Sequence, residues 1–164
     1  MKLLKPRIWV DQLHQIPLKE LKTVGIKSLI IDIDNTLVAW DDDTPSRESV
    51  QWIEEAKAEN FNIMLVSNNS HERVHRMQAF FHCRGLARAK KPTGIGLKKA
   101  MRVMKTRPWE TAIIGDQIFT DVLGGNRIGL YTILVTPMKS KEFWWTTMVR
   151  HAEKRVLKRI RKFK

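Results

Sequence analysis

The stretch from Ser28 to Val38, SLIIDIDNTLV, constrains the fold more than any other part of the chain. It opens with an apolar run of leucine and isoleucine, which is typical of a buried strand. The run ends in two carboxylates at positions i and i+2, Asp32 and Asp34, followed by Thr36. Alternate strand residues share a face, so both acids are expected in one crevice, where a divalent cation would neutralise them. Taken alone, the stretch is equally typical of a strand that ends in an Asp-rich turn.

Length and composition favour one globular domain. A chain of 164 residues with 43% hydrophobic content can bury a substantial core. The chain has no run of eighteen apolar residues, and no apolar segment follows the charged start, so neither a membrane span nor a signal peptide is predicted. The single cysteine, Cys83, indicates a reducing cytoplasm and is expected to be an inert, partly buried thiol.

The net charge of +13 is unevenly distributed, since residues 139–164 hold ten Lys or Arg and two Glu, a net +8. Apolar residues recur there at steps of three and four, which predicts a basic amphipathic helix: Trp145, Met148, Ala152, Val156, Ile160 and Phe163. Three interpretations stay open for this helix. It packs on its own domain, it lies on an anionic membrane surface through residues 140–164, or it binds RNA.

Strand and helix patterns alternate through the rest of the chain. Strands are expected at 28–33, 61–66, 86–89, 111–114 and 131–135, after a helical lead-in over 9–24. Helices are expected from Ser46, over 71–82 with Ser70 as its cap, after Thr93 as a cap, and from Asp121 to Arg127. The alternation predicts an α/β fold: a Rossmann-like three-layer sandwich around a five-stranded parallel sheet, over residues 1–138.

Polar residues follow four of the predicted strands. Ser67 and Asn68 end the second strand, Lys91 follows the third, and Asp116 ends the fourth with Asp121 one helical turn on. Ligands bind at the carboxyl ends of parallel strands, so these groups are expected to meet Asp32 and Asp34 in one crevice. Acids, a hydroxyl and an ammonium group together suit phosphoryl transfer.

As a set, these residues resemble the four motifs of the haloacid-dehalogenase-like (HAD) phosphatases. The motifs are Asp32-Ile33-Asp34-Asn35-Thr36, Ser67, Lys91 before Pro92, and Gly115-Asp116 with Asp121. The amino-acid sequence around Gly115–Val122 resembles that of the YqeG branch of subfamily IIIA, which includes mitochondrial phosphatidylglycerophosphate phosphatases. The resemblance implies a Mg²⁺-dependent phosphomonoesterase. The motifs are closely spaced, which implies that no cap domain is present and that the site is open.

The resemblance also implies a role for each acid. Asp32 would attack phosphorus and form an aspartyl-phosphate, and Asp34 would protonate the leaving alcohol and then activate water. Mg²⁺ would be held by the Asp32 carboxylate, the Asp34 backbone carbonyl and Asp116, with Asp121 in support.

The remaining motif residues would handle the phosphate. Ser67, with Asn68 nearby, would hold the phosphoryl group. Thr36 would join them at the phosphate site, where it would help to shape the turn and orient Asp34. Lys91 would offset the negative charge, and its neighbour Lys90 is the alternative for that role.

The substrate expected from the resemblance is a lipid phosphate, with phosphatidylglycerophosphate as the leading candidate. Together with the basic tail, this predicts a cytoplasmic protein that lies peripherally on the inner face of the membrane. The alternatives are a phosphatase of a soluble sugar or nucleotide phosphate, and a basic RNA- or ribosome-associated module whose phosphatase site is secondary. The oligomeric state is left open.

Three other motifs have simpler explanations. His71-Glu72-Arg73-Val74-His75 matches the zinc-protease pattern H-E-x-x-H but is expected to be a solvated helix face. Gly124-Gly125 lacks the lysine and serine of a P-loop, so a role in close helix–strand packing or a turn is expected. The acids at 41–43 are expected to form a solvated turn rather than a metal site.

Overall fold

A computed structural model of the chain describes residues 2–138, together with 155, 156 and 158. Six parallel strands form one sheet: β1 (Ile8–Val10), β2 (Ser28–Ile31), β3 (Asn62–Val66), β4 (Arg84–Leu86), β5 (Thr111–Gly115) and β6 (Tyr131–Val135). Their order across the sheet is β1-β6-β5-β2-β3-β4. The α/β Rossmann-like architecture is therefore confirmed.

The sheet has six strands where five were predicted. The additional strand, β1, overlaps the start of the segment 9–24 that was predicted as a helical lead-in, and it pairs with β6 at the edge of the sheet. At three partly buried residues it is too short to show the alternation that identifies a strand. The helical part of that segment is a 3₁₀ turn at Leu13–Gln15 followed by α1 (Leu18–Thr23).

Helices cover both faces of the sheet. The side of Leu29 and Ile31 packs against α1, α2 (Arg47–Ala58) and α3 (His71–Phe81). The side of Ile30 packs against α4 (Ile95–Met104), and α5 (Leu123–Arg127) follows β5. The four apolar residues of α4 predicted to face inward are buried: Leu97, Ala100, Met101 and Met104. This alternation of core faces along β2 makes the three layers.

Of the two predicted helix caps, Ser70 is confirmed, since its side chain accepts a hydrogen bond from a backbone N–H in the first turn of α3. The start of a helix near Ser46 is also confirmed, and Ser46 caps α2 in the same way. The prediction of Thr93 as the cap of α4 is wrong, since the helix begins one residue later, after Gly94 with φ of 79°. The third predicted strand is also shifted, because Arg88 and Lys90 have positive φ angles of 49° and 53° that end extended structure after Leu86.

No cap domain is inserted between β2 and β4, where α2 and α3 are the intervening helices. The predicted tail helix over 139–164 lies outside the described residues, apart from 155, 156 and 158. Val156 packs against the cluster of Ile118, Val122 and Leu134. Within the described part of the chain, no helix has the length and hydropathy needed to cross a bilayer. Cys83 is partly buried, and burial raises the pKa of its thiol, as expected for an inert cysteine.

Candidate active site

The candidate site lies at the carboxyl ends of the three central strands. Asp32 follows β2, Ser67 follows β3 and Asp116 follows β5, and these strands are neighbours in the order β5-β2-β3. The backbone N–H of Asp32 donates to the carbonyl of Ile114 at 2.9 Å, which continues the ladder and fixes Asp32 beside the end of β5. Parallel pairing therefore brings together residues that are far apart in the chain.

Three buried carboxylates meet at this edge. Asp32, Asp116 and Asp121 each place an oxygen within 4.8 Å of the others, and this is the one such group of potential metal ligands among the described residues. A glycine makes the approach possible, since a Cβ on Gly115 would lie 2.3 Å from the carboxylate of Asp121. The Gly-Asp pair at the end of β5 thus provides one acid and the room for another.

Lys91 lies between two of these acids. Its Nζ donates to Asp32 Oδ1 at 2.5 Å, to Asp121 Oδ1 at 2.6 Å and to the carbonyl of Val66 at 3.2 Å. The Asn68 side chain holds the lysine's backbone through two bonds, accepting from Lys91 N at 2.8 Å and donating to Lys91 O at 3.1 Å. The exposed Lys90 makes none of these contacts with the acids.

Burial and neighbouring charges shift the pKa values of Asp32 and Lys91. Burial raises the pKa of Asp32 to about 7, with Asp121 adding to the effect and the ammonium of Lys91 opposing it. Burial acts to lower the pKa of Lys91, but the charges of Asp121 and Asp32 outweigh it and raise that pKa above its usual range. Lys91 therefore stays charged, whereas the Asp32 carboxyl is only partly ionised near neutral pH. A second cation beside Asp32 would favour its ionised form.

Asp34 lies across the crevice and accepts hydrogen bonds at both oxygens. Ser67 Oγ and Asn69 Nδ2 donate to its Oδ2 at 3.4 Å and 3.2 Å, and Arg73 Nε donates to its Oδ1 at 3.1 Å. Ser67 is buried and its Oγ also accepts from the backbone N–H of Asn69 at 3.0 Å. Three donors therefore fix the orientation of the Asp34 side chain at the edge of the crevice.

Asn68 and Thr36, two of the residues expected to bind phosphate, differ in their surroundings. The Asn68 amide is occupied with the backbone of Lys91, and its neighbour Asn69, which was not predicted, contacts Asp34 instead. Thr36 is fully buried, and its hydroxyl has no hydrogen-bond partner among the described residues. It lines a cavity of about 690 Å³ next to the end of β6.

Sequence reasoning missed Arg73. Its side chain is 7% exposed and forms an ion pair with Asp34, whereas the sequence predicted a solvated helix face over 71–75. The signal available was its position three residues after the cap Ser70, next to the apolar Val74 on the buried side of α3.

The other motifs can be located in the structure. In the segment His71–His75 both histidines are exposed, as on the predicted solvated face, but Arg73 and Val74 between them are buried. Gly125 provides close packing of α5 on the sheet, since a Cβ there would lie 2.5 Å from Ile113. The acids at 41–43 are exposed.

The charges of the site do not balance. Four carboxylates, from Asp32, Asp34, Asp116 and Asp121, face two cations, Lys91 and Arg73. With all four ionised, the group carries a net charge of −2, which one divalent cation would cancel. Oxygen ligands in such a number are those that Mg²⁺ prefers.

Comparison with known proteins points to one family. A family model described as mitochondrial PGP phosphatase matches residues 1–138. The chain is 36% identical over 157 residues to the "Probable phosphatase YqeG" of Bacillus subtilis, covering 96% of this chain and 91% of that protein. It is 32% identical over 171 residues to the chloroplastic/mitochondrial phosphatidylglycerophosphate phosphatase 1 of Arabidopsis thaliana, covering 94% of this chain and 47% of the plant protein.

Solved structures share the fold at low sequence identity. NagD from E. coli K-12 matches with a TM-score of 0.60 at 14% identity, over 71% of this chain and 90% of its own. A HAD family hydrolase from Streptomyces avermitilis matches with a TM-score of 0.59 at 14% identity, over 86% of this chain and 78% of its own.

Proposed function

The chain belongs to the mitochondrial PGP phosphatase family and is a HAD-type phosphatase, and we propose that it hydrolyses phosphomonoesters through an aspartyl-phosphate on Asp32 with bound Mg²⁺. The observation that carries this proposal is the convergence of Asp32, Asp116 and Asp121 within 4.8 Å, with Lys91 2.5 Å from Asp32.

The donor set fits a divalent cation. In this proposal the carboxylates of Asp32 and Asp116 and the backbone carbonyl of Asp34 hold Mg²⁺, and Asp121 supports them. The ion would lower the charge of the incoming phosphoryl group and keep the Asp32 carboxylate ionised. Support comes from the net charge of −2 that the four ionised carboxylates keep after Lys91 and Arg73 are both counted.

The residues of the chain then divide the chemistry. An oxygen of Asp32 attacks phosphorus, the bond to the leaving oxygen breaks, and Asp34 gives that oxygen its proton. Asp34 next takes a proton from water, the water oxygen attacks phosphorus, and the bond to Asp32 breaks to release phosphate. Ser67 donates to the phosphoryl oxygens, and Lys91 offsets charge beside Asp32.

We propose phosphatidylglycerophosphate, or a related lipid phosphate, as the substrate. The family and the similarity to the Arabidopsis protein support this, and the absence of a cap between β2 and β4 leaves the site accessible to a bulky substrate. A soluble sugar or nucleotide phosphate is the second candidate, and an RNA-associated module with a secondary phosphatase site is the third.

A substrate panel separates these candidates. Purified protein with Mg²⁺ would be assayed for phosphate release from lipid phosphates in mixed micelles, from sugar phosphates and from nucleotides. We expect kcat/KM to be at least about tenfold higher for the phosphomonoester of a phosphatidylglycerol headgroup than for any soluble phosphate, a difference of about 1.4 kcal/mol. Equal or higher values for a sugar phosphate would overturn the lipid assignment.

Magnesium affinity is expected to depend on pH. The cation must displace the proton from Asp32, whose pKa burial raises to about 7. Below that pH the proton competes, so the apparent affinity should rise up to about tenfold per pH unit and level off above about pH 7. Calorimetric titration with Mg²⁺ between about pH 6 and pH 8 measures this. The variant Asp32→Asn should lose the slope, and a flat profile in the unsubstituted protein would contradict the assignment.

We propose that residues 140–164 bind an anionic membrane surface and place the protein peripherally on the inner face of the membrane. The net charge of +8 over 139–164 supports this. The packing of Val156 against Ile118 and Val122 is compatible with the alternative, a helix docked on its own domain. Deleting 140–164 is expected to abolish flotation with anionic vesicles and to leave binding to neutral vesicles unchanged. Unaltered flotation of the deletion variant would refute the membrane role.

A further inference from the structure

Arg73 connects Asp34 in the catalytic crevice to the loop at residues 39–43. Its guanidinium uses all three nitrogens: Nε donates to Asp34 Oδ1 at 3.1 Å, Nη2 to the carbonyl of Ala39 at 3.0 Å, and Nη1 to the carbonyl of Asp42 at 2.5 Å. Nη1 also contacts the Asp43 carboxylate at 2.5 Å. The arginine side chain is 7% exposed and its bonds are partly buried and charge-assisted.

We propose that Arg73 is a positioning residue for Asp34, holding its carboxylate in the orientation needed for proton transfer to the leaving oxygen. This inference rests on the proposed role of Asp34 as acid and base. It extends that role by assigning the control of the carboxylate to a residue of α3, outside the four motifs.

The two oxygens of Asp34 have different tasks in this arrangement. Oδ2 accepts from Ser67 and Asn69, and Ser67 is the hydroxyl proposed to hold the phosphoryl group. When phosphate engages Ser67, Oδ2 loses a donor and faces the reacting oxygen. Oδ1 keeps its hydrogen bond from Arg73. The planar guanidinium therefore fixes the direction of the carboxylate while Ser67 turns from Asp34 to the phosphate.

The loop that follows Asp34 restricts the orientation of the Arg73 side chain. An isolated bridge pairs Asp34 with Val38, and the loop after it returns to Arg73 at Ala39 and Asp42. The arginine therefore contacts both the acid and the segment that follows it. Lysine cannot reproduce this, because a single ammonium lacks the fork that reaches both partners.

Arg76 provides a matched control. It lies three residues further along α3 and shares the partner Asp43 with Arg73, at 3.3 Å. Unlike Arg73, it pairs with Glu72 rather than with Asp34. Arg76→Ala therefore removes a charge from the same helix and the same loop partner, and leaves Asp34 with its own arginine.

The experiment compares two leaving groups in Arg73→Ala, Arg73→Lys and Arg76→Ala. A nitrophenolate leaves without a proton, whereas the alkoxide of glycerol 3-phosphate needs one from Asp34. For Arg73→Ala we expect kcat on glycerol 3-phosphate to fall about 100-fold with KM changed less than about threefold, since general acid–base catalysis contributes about 10²–10⁴. Nitrophenyl phosphate should give a fast burst of one nitrophenolate per enzyme, because attack by Asp32 is intact and water activation is slowed.

The remaining variants complete the test. Arg73→Lys should fall between Arg73→Ala and the unsubstituted protein, and it decides the question if Arg73→Ala does not fold. Arg76→Ala should keep both activities within about twofold. The positioning role would be overturned if Arg73→Ala lowered the nitrophenolate burst rate as much as it lowers kcat on glycerol 3-phosphate. Equal losses of kcat in Arg73→Ala and Arg76→Ala would also overturn it. Failure of the proposed function would look different, since the unsubstituted protein would then hydrolyse neither ester.

Discussion

Asp32→Asn is expected to remove phosphatase turnover almost completely while leaving the fold intact. An amide oxygen is a poor nucleophile, so the first bond to phosphorus does not form. Loss of a nucleophile costs other hydrolases at least about 10⁴-fold in kcat. The substitution preserves the shape of the side chain, and Lys91 keeps its ion pair with Asp121, so urea unfolding should show a folded protein. Steady-state phosphate release from the best substrate of the panel measures the loss.

The control for this variant is Asp41→Asn, which removes an exposed acid from the loop after the motif. Its turnover should stay within about twofold of the unsubstituted protein. Asp34→Asn is expected to abolish turnover as well, because the leaving alcohol then receives no proton and water is not activated. Near-normal activity in an Asp32→Asn preparation free of the unsubstituted protein would exclude Asp32 as the nucleophile.

Lys91→Met should lower both activity and stability. The ammonium lies 2.5 Å from Asp32 and 2.6 Å from Asp121, with the lysine side chain 2% exposed. Removing it leaves two buried carboxylates facing each other, which costs about 3–5 kcal/mol of unfolding free energy when one partner of a buried pair is lost. The kcat should fall about 10²–10³-fold, as for the loss of one group that stabilises transition-state charge.

Lys90→Met is the matched control, because the two lysines are adjacent and Lys90 is exposed. Its unfolding free energy should change by less than about 0.5 kcal/mol and its kcat by less than about twofold. Urea unfolding and steady-state kinetics, each with and without Mg²⁺, compare the pair. Equal effects of the two substitutions, or a larger effect for Lys90→Met, would contradict the assignment of Lys91.

The central strands and the order of the site residues could be predicted from the sequence. Apolar runs such as Leu29–Ile31 end in polar residues, and parallel pairing then places those polar residues at one edge. β1 could not be predicted because three partly buried residues carry no periodicity. Its position at the edge of the sheet is a consequence of pairing with β6, which lies far away in the chain.

Side-chain directions within the turns were the other limit. Spacing indicated that Ser67 and its neighbours lie beside the acids, but it could not tell that Asn68 holds the backbone of Lys91 while Asn69 contacts Asp34. Arg73 was missed for a related reason. Its partners become neighbours when α3 and the loop at 39–43 meet, and no local pattern encodes that contact.

The most direct measurement of the central claim is the location of the phosphoryl group during turnover. Asp34→Asn, mixed with nitrophenyl phosphate and Mg²⁺ and quenched in acid, should accumulate a phosphorylated enzyme because water activation is blocked. Peptide mapping by mass spectrometry is expected to place one phosphoryl group on Asp32. Phosphorylation of a different residue, or nitrophenolate release with no phosphorylated peptide at any time, would contradict the account.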